Sequence, residues 1–289
     1  MRTLAQRAGR VNARRGLLAA LLLQAVILPG PAAAFSAAQI YLPIVSGDPL
    51  AAAACEPIAG ESYGTLDVNG EPTDRPAEVH ADLNLALRSY EVTSAPLVLV
   101  EYGPADDSRA PQLRDLFSNA SFRGFSRAYR VYDWNWEDDK RGSLIDDWPV
   151  TLAGLPAVRG ETLHVPGSGY EIGSGYEVLV LYATENRITL KYTREDNVVY
   201  GYTLHVEGVC VEPNLLALYR SMNAAERGNL PALRARQAFG RAIGGEVGVA
   251  IRDTGAFMDP RSRNDWWIGV TGVVEPVGLP QASLPLAAG

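Results

Sequence analysis

The sequence predicts a mainly β fold with one inserted helix and an N-terminal α+β accessory segment. Three runs rich in β-branched and aromatic residues, at 176–182, 187–192 and 198–206, are typical of strands. A fourth run, 246–252, predicts a closing strand. Between them, the segment 213–223 places apolar side chains near the 3.6-residue spacing of a helix, so one helix interrupts the strands.

Five segments follow along the chain. Residues 1–34 have a basic start, an apolar core and a small-residue cleavage site, which predicts a signal peptide; an uncleaved membrane anchor is the alternative. Residues 35–60 are rich in Ala and Pro and predict a linker. We expect an accessory α+β segment at 61–130, the β domain at 131–275 and a flexible tail at 276–289.

The accessory segment contains three short elements. Residues 83–88 predict a short helix or strand, and the apolar run 96–101 predicts a buried strand. Residues 111–117 begin with Pro, which the first turn of a helix tolerates, and predict one or two helical turns. The segment has the composition of a folded region, but its sequence assigns it no role.

Composition limits the class of partner. The formal net charge of −7 argues against a surface for nucleic acid. After the N-terminal segment, no apolar stretch of the sequence approaches the length that a membrane-spanning helix needs. We therefore expect an exported, extracellular or cell-surface protein without a nucleic-acid partner and without membrane contact after signal removal.

The sequence contains two cysteines, Cys55 and Cys210. In an exported protein, an even pair predicts one disulfide, which here would join the N-terminal segment to the β domain. As an alternative, the residues around Cys55 resemble a lipoprotein processing site.

Several segments of the C-terminal half resemble one known family. In order, the runs 159–166, 176–193, 199–205, 237–240 and 251–261 are similar to strands and turns of the lysostaphin-like zinc endopeptidases, which cut peptidoglycan. The resemblance implies a lysostaphin-like β-barrel or sandwich within 131–275. Because one fold serves many functions, it does not by itself imply the activity.

The resemblance does not extend to the metal ligands. The family carries an H-x-H pair on its closing strand, and these positions fall on Glu246 and Gly248 here. An early H-x-x-x-D motif would fall at Tyr129 and Asp133, with Tyr in place of His. A catalytic zinc site needs about three protein ligands. The expectation is thus a peptidase scaffold that has lost its metal, with no catalytic residues, no metal and no cofactor.

A rearranged metal site is the alternative. The sequence has three histidines, and His80 has the setting of a structural residue at a helix start. The other two, His164 and His205, would then form the catalytic set with Glu246, or bind zinc together with Asp133. This alternative makes the protein a metal-dependent peptidoglycan endopeptidase.

An aromatic and acidic cluster predicts a binding surface. Asp133, Trp134 and Trp136 stand together, and the two Trp side chains point the same way if this stretch is a strand. Trp266 and Trp267 add to the aromatic set. Exposed Trp rings beside carboxylates suit sugar binding, whereas buried Trp rings would fill the core.

These observations favour a non-catalytic function. We expect an exported binding or scaffolding protein that uses a degenerate peptidase-like fold to recognise cell-wall peptide or glycan. The alternatives are the endopeptidase with a rearranged site and a carbohydrate-binding module that works through the Trp cluster.

Overall fold

The computed structural model describes residues 55–105, 107–272 and 274–276. The predicted signal peptide, the linker up to residue 54 and the tail beyond residue 276 lie outside these residues.

Strands dominate the part of the chain that the structure describes. They are β1 (Gly64–Asp67), β2 (Tyr90–Val92), β3 (Leu99–Glu101), β4 (Arg127–Asn135), β5 (Lys140–Leu144), β6 (Leu152–Pro156), β7 (Thr162–His164), β8 (Val178–Ala183), β9 (Arg187–Lys191), β10 (Tyr202–Glu207), β11 (Val209–Val211), β12 (Asn229–Leu233), β13 (Ala238–Ala242), β14 (Glu246–Asp253), β15 (Ala256–Phe257) and β16 (Val274–Pro276). The helices are α1 (Leu85–Arg88), α2 (Pro213–Ala224) and α3 (Arg263–Trp266), with 3-10 turns at Ala77–Val79 and Leu113–Leu116. The prediction of a mainly β chain is confirmed.

Most of the strands form one antiparallel sheet. Its order is β1-β12-β8-β9-β10-β14-β6-β4-β2, with β15 attached to β14 and β5 attached to β4. A second sheet has the order β11-β13-β7, and β16 pairs with β3. The large sheet has two separate end strands, so the described residues do not form a closed barrel. Of the predicted barrel or sandwich, the barrel is therefore wrong.

The segment 61–130 contributes directly to the large sheet. It supplies both end strands, because β1 pairs with β12 and β2 pairs with β4. Strand β4 itself runs across the predicted boundary between residues 130 and 131. The described residues therefore place this segment in the same sheet as the later strands.

Helix α2 confirms the predicted inserted helix. The Glu212 carboxylate accepts a hydrogen bond from the Leu215 backbone N–H at 2.8 Å, and Pro213 opens the first turn. Its buried side chains, Leu215, Leu216 and Tyr219, face strands β8 and β12. Within the described residues, no helix has both the length and the apolar composition to cross a membrane.

The two faces of the central strands differ in chemistry. On β10 and β14, alternate residues such as Leu204, Val206, Val247 and Val249 enter the main hydrophobic core. The opposite face carries a buried row of polar side chains, which we call the polar layer: Thr189, Lys191, Thr203, His205, Glu207 and Arg252.

The chain from residue 82 to residue 88 covers the polar layer. The Thr189 hydroxyl donates to the Leu83 carbonyl at 2.7 Å, and the Arg252 guanidinium donates to the Asp82 carboxylate at 2.8 Å. Buried polar groups are tolerated when they are hydrogen-bonded, and these contacts supply partners from the accessory segment. The segment thus completes one face of the sheet.

The two cysteines are placed together. Cys55 and Cys210 are paired, and their Cα atoms are 5.4 Å apart across a sequence separation of 155 residues. The pair is compatible with the predicted disulfide and joins the start of the described chain to β11.

Candidate functional site

A pocket of about 330 Å³ lies where three distant parts of the chain meet. Its walls are residues 71–74, His80, Asp82, Trp136 and residues 196–199. We call it the Trp136 pocket. Two of its walls come from the accessory segment and from the loop before β10, and the Trp136 side chain follows β4.

Trp136 is the exposed aromatic group of this pocket. Its exposed fraction is 43%. The Trp134 ring lies edge-on to it with centroids 6.5 Å apart, so the two rings are on the same side, as the alternation predicts. The His80 ring packs edge-on at 5.3 Å, and the Arg75 guanidinium lies 5.1 Å from the Trp136 ring centroid. These contacts fix the orientation of the indole.

His80 holds the floor of the pocket in place. Its Nδ1 accepts the Asp82 backbone N–H at 3.1 Å, so the proton of the neutral ring is on Nε2. Nε2 lies 3.5 Å from the Asp74 Oδ1 atom. Burial lowers the pKa of His80, and the ring is therefore neutral at pH 7.

Asp82 is an ionised carboxylate backed by two buried arginines. Its Oδ1 accepts from the Arg88 guanidinium at 2.7 Å and from the Arg252 guanidinium at 2.8 Å. Burial alone would raise the pKa of Asp82, but Arg252 and Arg88 outweigh it and lower the pKa to about 2. Since both arginines use Oδ1, Oδ2 remains an acceptor.

The opposite wall is held by a buried ion pair. The Asp196 carboxylate accepts two hydrogen bonds from the Arg227 guanidinium, at 2.6 and 2.7 Å, and a third from the Thr73 backbone N–H at 3.0 Å. Beside it, the Asn197 side-chain oxygen accepts from the Val199 N–H at 3.0 Å, which leaves the Asn197 NH₂ group as a donor.

The pocket therefore offers one aromatic surface, several carboxylate acceptors and an amide donor. Its described lining contains Glu71, Asp74, Asp82 and Asp196 but no Lys or Arg. Carboxylate oxygens favour ligand groups that donate hydrogen bonds.

The predicted binding residues have different outcomes. Trp136 lines the pocket, and Trp134 supports it. The Asp133 carboxylate pairs with Arg88 at 3.2 Å and is outside the pocket lining. The prediction that Trp266 and Trp267 form part of a binding surface is wrong, because they are 2% and 1% exposed. Their indole N–H groups donate to backbone carbonyls in the core.

His205 lies in the polar layer. The Thr189 hydroxyl donates its one proton to Leu83, so the 3.0 Å contact between Thr189 and His205 Nδ1 has the histidine as donor. Burial, together with Arg252, lowers the pKa of His205 to about 3. A divalent cation on this neutral ring would meet two arginine charges, Arg252 and Arg88, so this position does not fit zinc.

The other residues of the alternative metal set lie elsewhere. Glu246 is occupied as a structural acceptor, with the Ser126 hydroxyl at 2.5 Å and the Tyr129 hydroxyl at 2.6 Å. His164 is on β7, in the smaller sheet. The structure does not bring His164, His205 and Glu246, or the histidines and Asp133, together. In the part of the chain that it describes, no group of three His, Cys, Asp or Glu side chains has a metal-binding arrangement.

Most of the pocket residues carry no signal in the sequence that predicts a site. Asp74, Asp82, Asp196 and Asn197 belong to no recognisable motif, and the segments that carry them are more than a hundred residues apart in the sequence. Their one local signal is the acidic character of 71–82, which by itself is typical of any solvated loop.

Comparisons with protein-family models, with curated proteins and with solved structures gave no match to this chain.

Proposed function

We propose that this chain is a non-catalytic, exported binding protein that takes a neutral cell-wall glycan in the Trp136 pocket. The observation that carries the proposal is the exposed indole of Trp136 at the mouth of a pocket whose walls are carboxylates and an amide.

The pocket matches the chemistry of a sugar ring. A sugar presents a face of C–H groups and a rim of hydroxyls. An indole packs on the C–H face, while fixed polar groups bind the hydroxyls and set the orientation. The Asp82 Oδ2 atom accepts from a hydroxyl, and the Asn197 NH₂ group donates to one. Both groups are held by contacts on their other atoms.

The charge of the pocket supports a neutral ligand. The carboxylates of the lining disfavour nucleotides and other phosphates, and the arginines that contact Trp136, Asp82 and Asp196 offset part of that negative charge. A peptide of the cell wall is a different class of ligand. Binding to sacculi with and without their peptides distinguishes it from the glycan.

Two of the four lining carboxylates, Asp82 and Asp196, are unsuited to acid catalysis of hydrolysis. Glycoside hydrolysis needs one carboxylic acid that keeps its proton near neutral pH. Asp82 has a pKa of about 2, and both Asp196 oxygens accept from Arg227. Neither group serves as a general acid.

We expect Trp136→Ala to weaken glycan binding at least about tenfold, since a central aromatic anchor carries a large share of binding free energy. The melting temperature should change little, because the Trp136 side chain is largely outside the core. The assay is co-sedimentation with insoluble peptidoglycan sacculi and titration with oligomers of N-acetylglucosamine.

Trp148→Ala is the matched control. Trp148 is partly exposed, packs on Tyr102 and is absent from the pocket lining, so its removal should leave binding unchanged. Sacculi stripped of their peptides should still bind the protein. The proposal fails if the wild-type protein binds neither sacculi nor oligomers, if binding is lost with the peptides, or if both Trp variants bind equally well.

A further inference from the structure

A second pocket, of about 200 Å³, has a different chemistry. Three tyrosines, Tyr170, Tyr192 and Tyr202, and two aspartates, Asp107 and Asp253, form most of its lining. It shares no lining residue with the Trp136 pocket, and no Lys or Arg is among its described lining residues.

Asp107 supplies a fixed negative charge. Its Oδ2 atom accepts from the Tyr170 hydroxyl at 2.7 Å and from the Tyr202 hydroxyl at 3.0 Å, and its Oδ1 accepts from the Arg109 backbone N–H at 2.9 Å. Partial burial opposes ionisation, but these hydrogen bonds outweigh it and lower the pKa of Asp107. The carboxylate is therefore ionised at neutral pH.

The tyrosine rings form the walls around this charge. The Tyr170 and Tyr202 centroids are 6.4 Å apart, with the ring planes inclined at 52°. Tyr202 is held from behind by the edge-on contact with Trp266 at 5.7 Å. The Tyr170 ring already makes one cation–π contact, with the Arg109 guanidinium 4.1 Å from the ring centroid.

We propose that this pocket binds the quaternary ammonium group of a small organic cation. Aromatic faces attract a cation through the ring quadrupole, and recognition of quaternary ammonium groups is a known use of such walls. The Asp107 carboxylate adds attraction of the same sign.

The hydrogen bonds at Asp107 favour a quaternary over a primary ammonium. A primary ammonium has three N–H donors and needs acceptors for them when it leaves water. Oδ2 of Asp107 already accepts two hydroxyls, and both tyrosine protons are used in those bonds. A cation without donors avoids this cost.

The test is titration of the whole protein with choline, with propylammonium and with 3,3-dimethylbutan-1-ol, the uncharged isostere of choline, at constant ionic strength. We expect choline to bind at least about fivefold more tightly than either comparison compound. Equal or tighter binding of the alcohol, or of propylammonium, would overturn the proposal, as would no measurable choline binding.

Two variants at one position locate the effect. Tyr170→Leu removes the ring and should weaken choline binding about fivefold. Tyr170→Phe keeps the ring, and its choline affinity should stay within about twofold of the wild-type value. Asp107→Asn should also weaken binding, and its melting curve shows whether it folds. Trp136→Ala should leave choline binding unchanged, so this proposal and the glycan proposal fail separately. Equal choline affinity in the Leu and Phe variants would refute the assignment.

Discussion

Arg227→Met is expected to lower the free energy of unfolding by about 3–5 kcal/mol, because it leaves a buried carboxylate without its partner. The Arg227 and Asp196 side chains are 7% and 0% exposed, and two hydrogen bonds of 2.6 and 2.7 Å join them. Arg227 also donates to the Leu181 carbonyl at 2.8 Å. Urea denaturation of the variant and of the wild-type protein measures the difference.

The chain offers a matched control for this change. Arg220→Met removes the same side chain from an ion pair with Glu185, but both partners there are more than half exposed, so we expect a loss of less than about 1 kcal/mol. Adding Asp196→Asn to Arg227→Met should recover part of the stability, since no unpaired charge then remains. If Arg227→Met costs no more than Arg220→Met, the buried pair does not hold the pocket wall.

Glu207→Gln is expected to change how stability depends on pH. Burial raises the pKa of Glu207 from 4.5 to about 7, and Arg187 opposes the shift only in part. Because the folded pKa is the higher one, the native carboxyl keeps its proton at a pH where the unfolded one has lost it. The stability that Glu207 contributes is therefore fully present below pH 4.5 and is lost as the pH rises through about 7.

Between pH 4.5 and about 7, the free energy of unfolding of the wild-type protein should fall by about 3 kcal/mol relative to that of Glu207→Gln. This follows from roughly 1.4 kcal/mol for each pH unit between the unfolded and the folded pKa. Comparing the two proteins at each pH removes the contribution of His205. His205 has the opposite pH dependence. Because its pKa is lowered in the folded state, it reduces the stability of the protein as the pH falls below 6.5.

Glu185→Gln is the control for the direction in which stability changes with pH. The pKa of Glu185 is lowered, first by a hydrogen bond from its own backbone and second by Arg220. The stability that Glu185 contributes is therefore lost as the pH falls, not as it rises. Urea denaturation from pH 3 to 8 follows all three proteins, a range that includes the pH below 4.5 where the Glu185 contribution is lost. Parallel curves for Glu207→Gln and the wild type would show that Glu207 is not buried as an uncharged group.

Local patterns were sufficient for some of the regular elements. The alternation and β-branched content at 187–192 predicted β9, and the spacing of Leu216, Tyr219 and Met222 predicted α2. The strand predicted at 198–206 begins only at Tyr202, because the residues before it form the loop that lines the Trp136 pocket.

Long-range contacts account for what the sequence did not predict. Lys191 is fully buried although its residue type is mostly exposed, and its partner carbonyl, at Tyr200, is supplied by the turn into the next strand. Trp266 and Trp267 stand in a charged stretch typical of a surface, but Asp259 and Arg261 pair with each other and are buried beside them. The resemblance to lysostaphin-like endopeptidases stays a prediction.

Contact between glycan and the Trp136 indole can be observed directly by NMR. The sequence has five tryptophans, so an ¹⁵N-labelled protein has five indole N–H signals, and Trp136→Phe assigns the relevant one. Titration with an oligomer of N-acetylglucosamine should shift the Trp136 signal, and the Trp134 signal beside it, while the buried Trp266 and Trp267 signals stay in place. If the Trp136 signal stays in place up to saturating oligomer, glycan does not bind at Trp136.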